Sequence, residues 1–211
     1  MAEGWHSERL LYRAVEADDE DHLKALQANF QTFSQIAPVV PVPQGSKAAK
    51  ESIERLQGAL LGAVICLPAP TADPNDAASV STTSKPIPIG HIMLRTDPAP
   101  MMHHRRAEIG LSILPAHRNQ GYGSETLRWV LSWAFRFGNL HRVGLTAYSH
   151  NAGAIKLYER LGFRHEGRTR ECCWYDGEYW DEVHLGMLDR EWREQYGGTS
   201  RSTEGKLAQG Q

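Results

Sequence analysis

The sequence predicts an α/β fold: a mixed, mostly antiparallel central sheet flanked by helices. Three observations carry this. Strand-like and helix-like apolar patterns interleave along 211 residues, a length that supports one domain with a substantial core. The three strands expected in the middle of the chain arrive without crossover helices between them, which excludes a doubly wound parallel sheet. A long, widely apolar helix and an Asp-Gly hairpin then complete a layered unit in the second half.

Residues 10–15 read as a short strand. Asp18 offers an N-cap, with Asp19, Glu20 and Asp21 in the positive first turn of a helix whose apolar stripe is Leu23, Leu26 and Phe30. Pro38, Pro41 and Pro43 close that region, and residues 46–58 form a second helix carrying Ile53 and Leu56. Residues 60–67 are a buried strand. Residues 68–88 hold five prolines and little to bury, so they read as a flexible surface insertion. Strands resume at 89–94 and, after a basic turn at 103–106, at 107–114. Over 124–137, Leu127, Val130, Leu131, Ala134 and Phe135 form one helical stripe, and Trp129, Trp133 and Phe137 add a second. That helix is therefore expected to be buried between the sheet and another element. Gly138 and Asn139 stop it. Residues 142–148 are a strand, 152–161 a helix ended by Gly162, and 168–188 a hairpin turning at Asp176–Gly177. Residues 197–211 are polar and glycine-rich, a disordered tail that leaves 1–196 as a single domain.

Composition removes several function classes. Lysine plus arginine number 23 against 25 aspartates and glutamates, a net charge of −2, which argues against nucleic acid or an anionic membrane as the main partner. The longest apolar run, 59–67, falls far short of the ~20 residues a membrane helix needs, and residues 1–8 lack a secretory pattern. Cys66, Cys172 and Cys173 form neither a CxxC pair nor an even disulfide framework, so they read as reduced, partly buried thiols of a cytoplasmic protein. His103, His104, His117, His141 and His150 have no metal-ligand spacing; they read as surface or capping histidines, and no metal site is expected.

Chemistry concentrates in two segments. Arg118, Asn119, Gln120, Gly121, Tyr122, Gly123 and Ser124 join a strand to the long helix. Two glycines one residue apart let consecutive amides face inward, and with the helix's positive end they suit a pyrophosphate, with Arg118 adding a full charge. The loop is not a P-loop, since no GK[ST] follows, and it lacks the third glycine of the dinucleotide fingerprint. In the second segment Asn151, Ile155 and Tyr158 share one helix face, so a carboxamide and a phenol look the same way. Taken alone, each piece has a plainer reading: a tight turn, a helix cap and a core aromatic.

Together these segments resemble the GNAT superfamily of N-acetyltransferases. Arg118-x-x-Gly121-x-Gly123 is similar to its pyrophosphate loop, and Asn151…Ala154-Ile155-x-x-Tyr158-x-x-x-Gly162-Phe163 to its second signature. The likeness covers residues 107 to about 192, and the first half more loosely through its element order. Residues 107–110 and the run Asp176-Gly177-x-Tyr179-x-Asp181-Glu182 look most like the branch with ribosomal-protein and polyamine acetyltransferases.

The resemblance implies a GNAT-type sheet splayed between the fourth and fifth strands, with acetyl-CoA as co-substrate. It implies pantetheine pairing to backbone around Ile113 and Leu114, and the pyrophosphate resting on the amides of Gln120 to Ser124. Glu108, on the strand face of Gly110 and Ser112, is the candidate base. Tyr158 is the candidate acid for the departing thiolate, beside Asn151. The expected acceptor is the primary amine of a small molecule of polyamine, amino-sugar or amino-acid type. A protein N-terminus or lysine, and an inactive acyl-CoA-binding module, are the alternatives, and a homodimer is left open. Residues 166–182 carry six acids against two arginines, either a solvated hairpin or a lure for a cationic amine, with Trp174, Tyr175, Tyr179 and Trp180 between them.

Overall fold

The computed structural model describes residues 4–30, 40–69 and 85–197. Most of the expected insertion at 68–88, nearly all of the expected tail, and Pro38 lie outside these residues. Among them, strands β1 (Leu11–Arg13), β2 (Leu61–Leu67), β3 (Ile87–Thr96), β4 (Arg106–Ile113), β5 (Arg142–Tyr148), β6 (Arg164–Tyr175) and β7 (Glu178–Leu188) form one sheet in the order β1-β2-β3-β4-β5-β7-β6. All neighbours pair antiparallel except β4 and β5. Those two run parallel and pair only from Arg106↔Arg142 to Glu108↔Gly144. Beyond that point β4 stays with β3 and β5 stays with β7. The sheet therefore opens into a wedge between its fourth and fifth strands.

Helices cover both faces. On one, α1 (Glu20–Ala28) and α2 (Ser46–Gln57) bury Leu23, Leu26, Ala49, Ile53 and Leu56 against Val64 and Cys66 of β2. On the other, α3 (Tyr122–Arg136) buries Leu127, Val130, Leu131, Ala134 and Phe135 in the larger core, and α4 (Ala152–Arg160) packs Ile155, Leu157 and Tyr158 against it. The element on α3's far side is twofold. Tyr12 stacks on Trp129 at 3.7 Å, and Trp192 of α5 (Asp189–Tyr196) meets Phe135 at 5.7 Å.

Several expectations shift. Asp18 and Asp19 fall in a 3₁₀ turn, so α1 starts at Glu20. Asp19 is instead buried, gripped by Arg13 at 2.6 and 2.8 Å and accepting the Glu16 N–H at 2.9 Å. Burial works against its charge, yet those bonds hold its carboxyl below the usual range. Phe30 and Phe137 leave their stripes because α1 ends at Ala28 and α3 at Arg136; both rings are about 60% exposed. β3 begins at Ile87, inside the proline-rich stretch, with Pro88 opposite Cys66 where a bulge shifts the register. α5 was not expected; Glu191 closes its first turn by accepting the Leu188 N–H at 2.9 Å. The hairpin turns where expected, with Asp176 at φ 52° and Gly177 at φ 82°, as a type I′ turn requires.

Candidate active site

The wedge places two sites side by side. At its upper end β4 passes through a 3₁₀ turn, Pro115–His117, into the glycine loop. Arg118 Nε donates to the Ile113 carbonyl at 3.0 Å and Gln120 Nε2 to the Ala116 carbonyl at 2.9 Å, while Asn119 and Gly121 take left-handed φ values of 59° and 86°. Gly121 is the N-cap of α3 and offers no capping side chain. The first amides of α3, at Tyr122, Gly123 and Ser124, precede the first α-helical bond, from Glu125 N–H to the Gly121 carbonyl at 3.0 Å. A positive helix end is thus left uncapped, a setting suited to phosphate oxygens.

Gly123 tests the fit of such a group. Its φ is ordinary, and a Cβ there would meet only Leu157 at 3.6 Å and Leu111 at 3.9 Å, both normal contacts. Neither the turn nor the packing requires glycine at this position. What the missing side chain leaves is room for a ligand to approach the backbone.

Arg9 is a component that sequence reasoning missed. Its guanidinium donates to the Gln120 carbonyl at 3.0 Å and to Glu125 at 2.8 Å, and lies 4.8 Å from the centre of the Tyr122 ring. Ser7 and the Arg9 N–H also bond Glu125, both at 2.7 Å. Burial opposes the Glu125 charge, but these donors hold its carboxyl below the ordinary range. The N-terminal segment therefore ties the glycine loop to the first turn of α3.

The wedge holds a groove of about 690 Å³ lined by α1, α2, β3 and β4 and by β5, α4 and β7. Glu108, Gly110, Asn151 and Tyr158 all line it. Glu108 pairs with Arg95 of β3 at 2.6 Å. Tyr158 meets Phe163 edge to face at 6.0 Å, and burial pushes its phenol up to about 12. Asn151 caps α4, its side-chain oxygen accepting the Ala154 N–H at 3.3 Å, so the plainer reading of this residue holds. Ser112 is buried with its hydroxyl unpartnered among the described residues. Of the two backbone positions expected near pantetheine, Leu114 donates its N–H to Ile89 at 2.8 Å, and Ile113 sits opposite Gly90 of β3.

Two of the six acids of the hairpin are held by arginines. Glu166 pairs with Arg142, and Asp181 with Arg168. The Glu171 N–H, followed by Arg168, holds the Asp181 carboxyl low. Of the six acids only Glu182 lines the groove. Trp174 and Tyr179 are exposed and contact each other at 4.8 Å, whereas Tyr175 and Trp180 flank His150 at 4.7 and 5.4 Å. His150 thereby departs from its surface reading: both ring nitrogens are buried without a partner among the described residues. His91 of β3, not singled out in the sequence, lines the groove; burial, then the charges of His22 and Arg55, push its imidazole down to about 4. Among the described residues no cluster of three metal-binding side chains occurs, and no helix is long and apolar enough to cross a membrane.

Comparison with known proteins bears on this arrangement. The family model described as acetyltransferase (GNAT) family matches residues 53–163. An uncharacterised N-acetyltransferase of Bacillus subtilis (strain 168) is 34% identical over 85 residues, 40% of this chain and 50% of that protein. A spermidine N(1)-acetyltransferase of Vibrio cholerae is 33% identical over 85 residues, 40% of this chain and 49% of its own. The chain thus spans about half the length of the curated relatives it matches. In three dimensions, the crystal structure of spermidine N-acetyltransferase from Vibrio cholerae in complex with CoA and spermine superimposes with a TM-score of 0.68, covering 87% of this chain and 98% of that one at 22% identity. That likeness is one of fold.

Proposed function

Because the chain belongs to the acetyltransferase (GNAT) family, we propose that it is an acetyl-CoA-dependent N-acetyltransferase acting on the primary amine of a small molecule. The observation that carries this reading is the wedge itself. The strands separate just past Glu108, and the groove there is lined by Glu108, Tyr158 and Leu111, the last of which comes within 3.9 Å of a Cβ placed at Gly123 in the first turn of α3. The spermidine N(1)-acetyltransferase among its relatives supports a small amine as acceptor.

Acetyl-CoA supplies a thioester carbonyl open to attack by a neutral amine. The chain's residues position and move protons around that event. The amides of Tyr122, Gly123 and Ser124 hold the pyrophosphate, with Arg118, Asn119 and Gln120 shaping the loop and Arg9 bracing it. Glu108 takes the ammonium proton, through water, before attack. Tyr158, with its phenol near 12, keeps its proton at neutral pH and can hand it to the departing thiolate. Holding amine and thioester in line in one groove supplies much of the remaining rate.

The test is an amine panel with acetyl-CoA, read by release of free thiol: polyamines, amino sugars and amino acids against peptides with free N-termini or lysines. Turnover of a small amine is expected. Turnover of peptides alone would make this a protein-modifying enzyme, and acetyl-CoA binding without any amine-dependent thiol would leave an acyl-CoA-binding module.

A further inference from the structure

We propose that the acceptor is a zwitterion, an amino acid whose carboxylate is held by Arg55 while its amine faces Glu108 and Tyr158. The inference rests on the acetyltransferase reading and names the acceptor class of that same groove.

The charges lining the groove are Glu51 and Arg55 of α2, Arg95 of β3, Glu108 of β4 and Glu182 of β7. Two of the three acids already face a cation. Arg95 pairs with Glu108 at 2.6 Å and Glu51 reaches Lys47 at 3.9 Å, while Glu182 has only the His184 ring at 3.7 Å, a partner charged only when protonated. Arg55 differs, because it has neither a hydrogen bond nor an ion pair among the described residues although it stands on the groove wall. Its charge is felt by His91, which lines the same groove and is kept neutral chiefly by burial. The α2 side therefore presents a guanidinium without a partner among the described residues, a group suited to a carboxylate, while Glu108 of β4 and Tyr158 of α4 present a carboxylate and a phenol suited to an amine.

A polyamine fits this charge pattern poorly. Two or more ammonium groups would share the groove with Arg55 and Arg95, and a polyamine has no anionic group to offer Arg55. The hairpin acids that would have drawn a polycation are mostly paired or stand outside the lining. A zwitterion brings one ammonium rather than two or more, and adds no net charge to the groove. Its carboxylate answers Arg55 and its amine answers Glu108.

The experiment compares the twenty standard amino acids, their C-terminal amides, and spermidine and putrescine by thiol release with wild-type chain and Arg55→Gln, alongside acetyl-CoA binding by calorimetry. The amide keeps the amine but loses the carboxylate. Its amine is also less basic, so more of it is neutral and intrinsic reactivity favours the amide. A preference for the acid can therefore come only from recognition. At least one free amino acid is expected to exceed its amide tenfold or more in kcat/KM, and Arg55→Gln is expected to cut that preference at least tenfold through KM. Equal use of acid and amide, or turnover of the polyamines with no amino acid accepted, overturns the zwitterion while the acetyltransferase stands. A chain that binds acetyl-CoA but transfers to no amine, with amino sugars and peptides added to the panel, or that binds none, overturns both.

Discussion

Tyr158 carries its proton at neutral pH, as any phenol does, and burial holds it more tightly still, so its hand-over waits on the charge that develops on the departing thiolate. Tyr158→Phe retains the ring against Phe163 and removes only the hydroxyl. Its kcat is expected to fall roughly 10²-fold, the usual scale of general-acid help, with melting temperature and acetyl-CoA affinity nearly unchanged. Full activity in that variant would hand the proton to water and leave Tyr158 a packing residue. Gly121 and Gly123 invite a second test, and they are unequal probes. Any side chain at Gly121 is strained by its φ of 86°, so loss of function there is ambiguous. At Gly123 an alanine methyl has room in the protein and suits a helix better than glycine, so Gly123→Ala is expected to melt no lower than wild type. It should nevertheless bind acetyl-CoA about tenfold more weakly, a loss of about 1.4 kcal/mol. Undiminished binding in calorimetry would move the pyrophosphate off this loop. The loop and the Asn151–Tyr158 face were legible in the sequence because each lies within one local segment of fixed spacing. Arg9 was not, since it meets Gln120 across 111 positions, with no periodicity to connect them.

At the scale of elements, what the sequence disclosed depended on length and pattern. α3 presents a stripe over four turns, and the hairpin has an Asp-Gly turn, so both were readable. α5 escaped because its eight residues bury only Trp192, too few apolar positions to set a period. The stripes were read one residue too far at Phe30 and Phe137 because periodicity carries no stop signal; the helix ends are set by backbone geometry. The wedge between β4 and β5 was invisible to pattern, since a strand that loses a neighbour keeps its own alternation; only the resemblance to a family implied it. The hairpin turn offers a control for site placement. Gly177 has φ 82° and no atom within 4 Å of an added Cβ, so Gly177→Ala is strained by backbone conformation alone. About 1 kcal/mol of lost stability is expected, some 2–4 °C in melting temperature. Acetyl-CoA affinity should stay at the wild-type level, because the turn is remote from the glycine loop; a parallel loss of binding would mean that the hairpin shapes the cofactor site.

Over the whole molecule, two imidazoles are held neutral where α1 meets the sheet: His22 of α1 and His91 of β3. His22 is engaged with the Gly90 carbonyl at 3.2 Å, while His91 Nδ1 is buried with no partner among the described residues. Burial lowers both imidazoles, and for His91 to about 4 against an unfolded value near 6.5. The unfolded chain therefore takes up these protons first as the medium is acidified. The stability present above pH 6.5 is lost as pH falls from there toward 4, and for His91 that loss is about 3 kcal/mol. The carboxylates held low by their partners, Asp19 with Arg13 and Glu125 with Ser7 and Arg9, destabilise the fold only on further acidification, below their unfolded values near 4. The window from pH 6.5 to 4.5 thus isolates the histidines. Urea unfolding at pH 7 and at pH 4.5 is expected to show wild type losing one to several kcal/mol across that window. His91→Gln, which keeps a polar side chain of similar reach but cannot titrate, is expected to lose distinctly less, with the remainder contributed by His22 and His150, both lowered by burial. A variant that lost as much as wild type would place the proton uptake elsewhere in the fold.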